Sequence, residues 1–236
     1  YSINNSSEFV TVGTTRPETI FGDAAIAIHP ENKKLKKFIG KFVEIPIIKK
    51  KIKVIPDEYA DPKKGSGAVK ITPAHDFNDF EVGKRNNLEF INIFDKNCNI
   101  LDASFIPNEF RGMDRFKARA KVIQKLKKMS LLEKVTSNKM VIPYGERTGI
   151  VVEPLLTDQW FVDSKKLCEP VHKLINDNKI NFHPSSWINT FKHWINNIQP
   201  WCISRQIWWG HRIPIWYSKS GDMVAAKNEK EAEIKL

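Results

Sequence analysis

The chain has 236 residues, 41% of them hydrophobic, and a formal net charge of +11 at pH 7. This length and apolar content suffice for one large folded domain, or for a domain with a smaller appendage, and they exclude a disordered tail. No run of about 18 apolar residues occurs, and the first residues lack the basic and apolar regions of a signal peptide. We therefore expect a cytoplasmic protein with no membrane partner.

The surplus of Lys and Arg favours an anionic partner such as nucleic acid, because it raises the local concentration of phosphate groups. An A+T-rich genome would produce the same surplus of Lys without selection for binding, so charge alone leaves both interpretations open. The three cysteines, Cys98, Cys168 and Cys202, are far apart and form no Cys-x-x-Cys pair. Neither a zinc ribbon nor a disulfide framework is expected.

Short β-branched stretches interrupted by prolines dominate the first half of the chain, which predicts a mixed α/β fold rather than a series of long parallel strands. A short helix is expected to begin at Pro17, because proline suits the first helical position. Longer helices are predicted over residues 77–85, ended by Asn86, and over residues 114–129. The predicted strands cover residues 9–12, 24–28, 41–48, 51–55 and 68–72.

The character of the chain changes after residues 143–149. Residues 150–154 and 159–162 are predicted to form a strand pair. Residues 185–198 are predicted to form an amphipathic helix, and its apolar stripe is interpreted as core packing and not as a platform for stacked bases. The stripe consists of Trp187, Phe191, Trp194, Ile195 and Ile198.

Two polar motifs contain the residue types from which catalytic sites are built. The first reads Thr-Thr-Arg-Pro-Glu-Thr at residues 14–19. The second reads Lys-Ile-Thr-Pro-Ala-His-Asp-Phe-Asn-Asp at residues 70–79, where a predicted strand leads into a predicted helix. A cation, a hydroxyl and two carboxylates thus converge, which suits a small ammonium-bearing ligand together with a water molecule.

A structural interpretation competes with this one in the second motif. Strand alternation places Lys70 and Thr72 on one face, and Asp76 and Asp79 lie three residues apart on the helix. Asp76 would then accept backbone N–H groups as a helix cap, and Asp79 would favour the positive end of the helix dipole. His75, taken alone, is more often a structural histidine than a base.

Together the motifs resemble the editing insertion of the class I tRNA synthetases for valine, isoleucine and leucine. Residues 14–19 resemble the threonine-rich motif of that family, and residues 65–70 with 72–76 resemble its second editing motif. By this resemblance the chain is similar to the editing domain, or connective peptide 1, of a bacterial-type valyl-tRNA synthetase. Further stretches similar to the valyl branch are residues 77–85, 153–160 and 201–214.

The resemblance implies hydrolysis of threonine wrongly attached to valine tRNA. Water is expected to attack the ester directly, because no Ser or Cys lies in a nucleophile motif. The implied catalytic residues are Asp76, Thr15 and Lys70. The implied substrate-binding residues are Asp79 for the α-ammonium group, Thr72, His75, and Arg16, Thr14 and Thr19 toward the terminal adenosine and the ester.

The same resemblance implies a β-barrel-like editing domain over residues 1–149, a hairpin and helical connection over 150–200, and the start of the class I catalytic domain over 201–236. The two ATP-handling signatures of the class, of the His-x-Gly-His and Lys-Met-Ser-Lys-Ser types, do not occur. ATP and Mg²⁺ are therefore expected only for the full-length synthetase, and editing is expected to need no cofactor and no metal. The expected partners are the 3′ acceptor end of tRNA(Val), the misattached threonine and the remainder of the synthetase, with the protein as a monomer.

Two alternatives stay open at the level of the sequence. One is a module that binds the acceptor end of tRNA without hydrolysis, and the other is editing of the leucyl or isoleucyl type. Lys64 also departs from the pattern, because some valyl enzymes carry an aromatic residue at this position. One wall of the expected pocket is therefore undetermined.

Overall fold

The computed structural model describes residues 1–4 and 6–236, and the contacts within it divide the chain into two units, Tyr1–Leu156 and Thr157–Leu236. Each unit contains both helices and strands, which confirms the mixed α/β class. The predicted division at residues 149 and 200 stays a prediction. No helix in the described ranges combines the length and the apolar character that crossing a membrane requires.

The first unit is built around one sheet. Its strands are β1 (Ser2–Ile3), β2 (Ala25–Ile28), β3 (Phe42–Glu44), β4 (Lys51–Pro56) and β5 (Ala68–Ile71). They are ordered β1-β3-β4-β2-β5, and among the described strands only β2 and β4 pair in parallel. The described sheet is open, with β1 and β5 at its edges, so the closure expected of a barrel is not observed.

The interior strand β2, which lies between β4 and β5, is buried on both faces, and isoleucine and alanine alternate along it. Its isoleucines pack into the main core, and its alanines pack with Val82 of α1 (Phe77–Arg85) on the other face. Small residues let this helix approach closely. A Cβ at Gly83 would lie 2.7 Å from the ring of Pro73, so α1 lies directly against the turn that follows β5.

The helices of the first unit confirm the local predictions. A 3-10 helix, Pro17–Gly22, begins at the predicted proline, and α1 has the predicted bounds, with Asn86 as its C-cap. The longer helix α2 (Arg115–Lys128) follows its N-cap Asp114. The predicted strand at residues 9–12 is wrong, because its neighbour β1 is only two residues long and supports a single bridge.

The predicted pairing of residues 150–154 with 159–162 is also wrong. Val152 donates its N–H to the carbonyl of Pro143 at 2.9 Å, so the first segment pairs with the turn before it. In the second unit, β6 (Phe161–Val162) pairs with β7 (Trp201–Cys202) instead. The remaining elements of this unit are α3 (Ser164–Asn176), α4 (Trp187–Asn196), β8 (Ile215–Tyr217), β9 (Met223–Ala225) and α5 (Glu229–Lys235).

The predicted helix α4 forms, but its apolar stripe is not a core in the second unit. Trp187 and Trp194 are 58% and 73% exposed, and no residue of α4 is buried. The stripe contacts α3 and the chain between them, where Phe191 packs on Phe182 with ring centroids 5.1 Å apart. The unit is too small to cover the stripe, since its buried hydrophobic residues are Ile175, Ala226 and Ala232.

Candidate functional site

The ammonium group of Lys70 is the centre of a buried polar network at one end of the sheet. Its Nζ donates to Asp23 Oδ1 at 2.8 Å and to the hydroxyls of Thr19 and Thr72 at 2.8 and 2.5 Å. Lys70 is 7% exposed and Asp23 is fully buried, so each charge depends on the other for compensation. An ammonium group has three N–H donors, and all three are used within the protein.

The pairing of β2 with β5 brings this network together. The antiparallel register begins with Ala25 opposite Ile71, so Asp23 before β2 and Thr72 after β5 lie at the same end. Thr72 Oγ1 donates to Asp23 Oδ1 at 2.8 Å, and the hydroxyl of Tyr1 donates to Asp23 Oδ2. Asp23 could not be predicted from the sequence, because a single carboxylate before an apolar strand is a common feature without a distinctive pattern.

Asp79 is a buried carboxylate without a cationic partner in the described part of the chain. Its Oδ2 accepts the backbone N–H of Thr72 at 2.8 Å, and the residue is 7% exposed. The pKa of Asp79 is raised to about 6, chiefly by burial; the Thr72 N–H opposes the shift, and the negative charge of Asp76 contributes to it. Such a carboxylate is stabilised in its ionised form by a cation that binds beside it.

One oxygen of the Asp79 carboxylate, Oδ1, has no hydrogen-bond partner within the described residues. In residues 1–4 and 6–236, His75 Nδ1 is the one side-chain polar atom that is both fully buried and without a partner. Asp79 Oδ1 also has no partner among those residues but does not belong to that class, so it is not fully buried. The free oxygen of Asp79 can therefore contact a ligand.

Asp76 is the N-cap of α1, as the structural interpretation predicts. Its Oδ1 accepts the backbone N–H groups of Asn78 and Asp79 at 2.8 and 3.1 Å. Its Oδ2 has no partner within the described residues, and the side chain is only half-buried. Capping therefore leaves one oxygen of Asp76 available, close in sequence to the free oxygen of Asp79.

His75 has a structural environment. Its ring is 1% exposed, its Nε2 accepts the backbone N–H of Ile93 at 3.0 Å, and its edge packs on Phe94 with centroids 4.9 Å apart. Burial, together with the positive charges of Arg16 and Lys70, lowers the pKa of His75 to about 3, so the ring is neutral. The ring is thus buried in the protein, and the contact of His75 with a substrate that the resemblance implies stays a prediction.

The threonine-rich motif and the second motif meet at two points. One is the hydrogen bond from Lys70 to Thr19, and the other runs from Arg16 Nη1 to the carbonyl of His75 at 2.6 Å. Thr14 and Thr15 are exposed, and Thr14 Oγ1 accepts the backbone N–H of Arg16 at 3.0 Å. The two exposed threonines are therefore the members of the motif that face solvent.

Arg16 is part of an ion-pair network that sequence analysis missed. Its Nη2 donates to Glu153 Oε1, and its Nε lies 3.6 Å from Glu18 Oε1. Arg115 binds the other oxygen of Glu153 at 2.8 Å, and Arg119 binds Glu18 through two bonds of 2.8 and 2.7 Å. Two of the five N–H donors of the Arg16 guanidinium make hydrogen bonds within the described residues, and the contact of Arg16 with adenosine that the resemblance implies stays a prediction.

Comparison with known proteins identifies the class of this chain. A family model described as tRNA synthetases class I (I, L, M and V) matches residues 20–236. The chain therefore belongs to this family of class I tRNA synthetases.

Curated relatives that the chain matches include valine–tRNA ligases of high identity, which confirms the resemblance of the motifs to the valyl branch. The chain is 52% identical to the enzyme of Pelagibacter ubique (strain HTCC1062) over 234 residues, which are 99% of this chain and 26% of that protein. It is 47% identical to the enzyme of Caulobacter vibrioides over 225 residues, which are 95% of this chain and 25% of that protein. The chain thus spans about a quarter of the length of these relatives.

A solved structure also matches part of the chain. It is the ternary complex of Agrobacterium radiobacter K84 agnB2 LeuRS with tRNA and LeuAMS. The match has a TM-score of 0.44 and 20% identity, and it covers 54% of this chain and 18% of that one.

Proposed function

We propose that this chain carries the editing site of a valine–tRNA ligase and hydrolyses the ester of threonine attached to tRNA(Val). The observation that carries the proposal is the state of Asp79: a buried carboxylate, raised in pKa, with a free oxygen and no described cationic partner. The α-ammonium group of an aminoacyl ester is the cation that such a group would hold.

Such a site is needed because threonine and valine are nearly isosteric. A hydrophobic pocket rejects weakly an isostere that adds only a hydroxyl, and the discrimination of valine from threonine is the established illustration of this limit. A second site that hydrogen-bonds the hydroxyl reverses the preference, since bound valine would leave polar groups unpaired. The polar groups in this case would be the free oxygens beside the network of Lys70.

In the proposed reaction the free Oδ2 of Asp76 orients a water molecule that attacks the ester carbonyl. The bond from the carbonyl carbon to the ribose oxygen breaks, and the leaving ribose oxygen takes up a proton from the attacking water. Asp79 Oδ1 holds the α-ammonium group, and the exposed hydroxyls of Thr14 and Thr15 face the adenosine and the ester. Lys70 and its partners form a rigid floor, because every donor of its ammonium group is already bound. The reaction needs no cofactor, and the acceptor end of tRNA is the proposed partner.

Deacylation of Thr-tRNA(Val) by the 236-residue chain tests this proposal. We expect release of threonine about tenfold or more faster than release of valine from Val-tRNA(Val), because the site is built for a hydroxyl. A module that only binds the acceptor end would instead protect the ester, and its complex would decay more slowly than free Thr-tRNA(Val). Hydrolysis of methionine or valine from the isoleucine and leucine tRNAs in preference to threonine would assign the site to those branches.

The raised pKa of Asp79 predicts opposite effects of pH on activity and on stability. Hydrolysis should fall as the pH drops below about 6, because the protonated carboxyl no longer attracts an ammonium group. The contribution of Asp79 to the unfolding free energy is fully present below its unfolded pKa of 3.8 and is lost as the pH rises through about 6, because folding raises this pKa.

Urea unfolding of the chain and of Asp79→Asn at several pH values checks this prediction. The stability of the wild type relative to the variant should decline between about pH 4 and about pH 7, by no more than about 3 kcal/mol. In the difference in unfolding free energy between the wild type and the variant, the contributions of the other titrating groups cancel. A difference in unfolding free energy that stays constant over this range would contradict the raised pKa.

A further inference from the structure

Glu153 is a nearly buried carboxylate that the proposed reaction does not use. Its side chain is 9% exposed, its Oε1 accepts from Arg16, and its Oε2 accepts from Arg115 Nη1 at 2.8 Å. Arg115 also donates to the carbonyl of Val151 at 2.7 Å, which fixes the segment that carries Glu153. We call Arg16, Glu153 and Arg115 the arginine clasp. Guanidinium and carboxylate groups in such contacts fix orientation as well as charge.

The other end of Arg16 reaches the helix that carries the two aspartates. Its Nη1 donates to the carbonyl of His75, the residue directly before the N-cap Asp76. Asp79 lies in the first turn of the same helix. One guanidinium therefore connects Glu153 to the backbone from which both free carboxylate oxygens of the candidate site project.

The loop on the other side of Arg16 depends on the same contacts. Residues 13–15 are exposed, and in the described part of the chain their backbone groups make no hydrogen bond to another element. The described link of this loop to the rest of the site runs through Arg16, whose N–H binds Thr14 Oγ1. A segment with so few contacts opens readily when its anchor is lost.

We propose that Glu153 is a positioning residue for editing, which acts by holding Arg16. The clasp fixes the exposed threonines against the start of α1 and so sets their distance from Asp76 and Asp79. This inference rests on the proposed function. Displacement of a reacting group by about 1 Å costs about a hundredfold in rate, so loss of the clasp should affect the reaction more than the fold.

The test replaces Glu153 by glutamine in the 236-residue chain. Glu146→Gln is the matched control, because Glu146 is exposed, lies in the same segment and forms no ion pair in the described residues. Two quantities are measured: single-turnover deacylation of Thr-tRNA(Val) over a range of enzyme concentrations, and hydrogen exchange without substrate at the amides of Asn78 and Asp79. Those two amides bind the capping oxygen of Asp76.

Glu153→Gln should lower the saturating rate constant about tenfold with little change in the half-saturating concentration, and it should accelerate exchange at both amides. Combined with Arg16→Met, it should add no further loss, because Glu153 acts through Arg16. Glu146→Gln should change neither quantity. Glu153→Asp keeps the charge on a shorter side chain and replaces the glutamine variant if that variant fails to fold. It should also lower the rate constant and accelerate exchange at both amides.

The outcomes separate the inference from the proposed function. Normal deacylation and normal exchange in Glu153→Gln overturn the clasp, as does a further loss of rate in the double variant relative to Arg16→Met. A lowered melting temperature with an unchanged rate constant at a permissive temperature assigns Glu153 a structural role only and also overturns it. A wild-type chain that leaves Thr-tRNA(Val) intact refutes the proposed function, while accelerated exchange in Glu153→Gln would still support the clasp.

Discussion

Asp79→Ala is expected to slow hydrolysis of Thr-tRNA(Val) by about ten- to a hundredfold or more while the fold remains intact. The expected loss is that of a charge-assisted contact to the α-ammonium group, worth about 1.5–3 kcal/mol. The stability of the chain should fall by no more than about 1–3 kcal/mol, because the variant leaves the N–H of Thr72 without its acceptor but also removes a desolvated carboxylate that has no described cationic partner. Deacylation rates and melting temperatures, measured on the same preparations, check both parts.

Two further variants separate recognition of the ammonium group from support of the helix. Asp79→Asn removes the charge but keeps an oxygen that can accept the N–H of Thr72, so its fold should resemble that of the wild type. Glu81→Gln makes the same kind of change at an exposed position of α1 and should leave the rate unchanged. If Asp79 only favours the helix dipole, Asp79→Asn would lose about 0.3–1 kcal/mol of stability with normal deacylation. That result would refute the proposal that Asp79 binds the α-ammonium group of the substrate.

The local elements of the first unit could be predicted because the signals for them lie within a few residues. The helix α1 begins after Pro73 with a capping aspartate and ends at asparagine, and it has the predicted bounds. The 3-10 helix at Pro17 could be predicted as well, because proline suits the first helical position. Alternation along β5 likewise places Lys70 and Thr72 on one face, where their polar atoms are 2.5 Å apart.

The elements that failed depend on partners distant in the chain. The segment at residues 159–162 finds its partner at residues 201–202, and no periodicity distinguishes that partner from the nearer stretch at 150–154. The apolar stripe of α4 is correct in period, but period alone does not state what covers the stripe. Burial is a property of the whole assembly, so it could not be derived from the helix itself.

The candidate site shows the same limit. Its two motifs could be identified from the sequence. In the structure, contacts from Lys70 to Thr19 and from Arg16 to His75 join them. Their compensating charges, Asp23 and Glu153, lie outside both motifs: Asp23 has no pattern of its own, and the similarity of residues 153–160 to the valyl branch does not indicate what Glu153 contacts. The protein contacts of Arg16 and His75 therefore could not be predicted, because a side chain can be recognised by its motif while its contacts are set by the fold.

Asp23→Asn is expected to be the most destabilising single change in the network, with a loss of about 3–5 kcal/mol, because it leaves the ammonium group of Lys70 buried without compensation. The double variant Asp23→Asn with Lys70→Met should recover part of this loss, since it removes both buried charges. Glu89→Gln is the matched control: Lys50 and Glu89 also lie 2.8 Å apart, but both are exposed, so it should cost no more than about 1 kcal/mol. Urea unfolding at neutral pH measures all of these changes. Additive losses in the double variant would show that Asp23 and Lys70 do not depend on each other, and the rigid floor proposed for the site would then have to be abandoned.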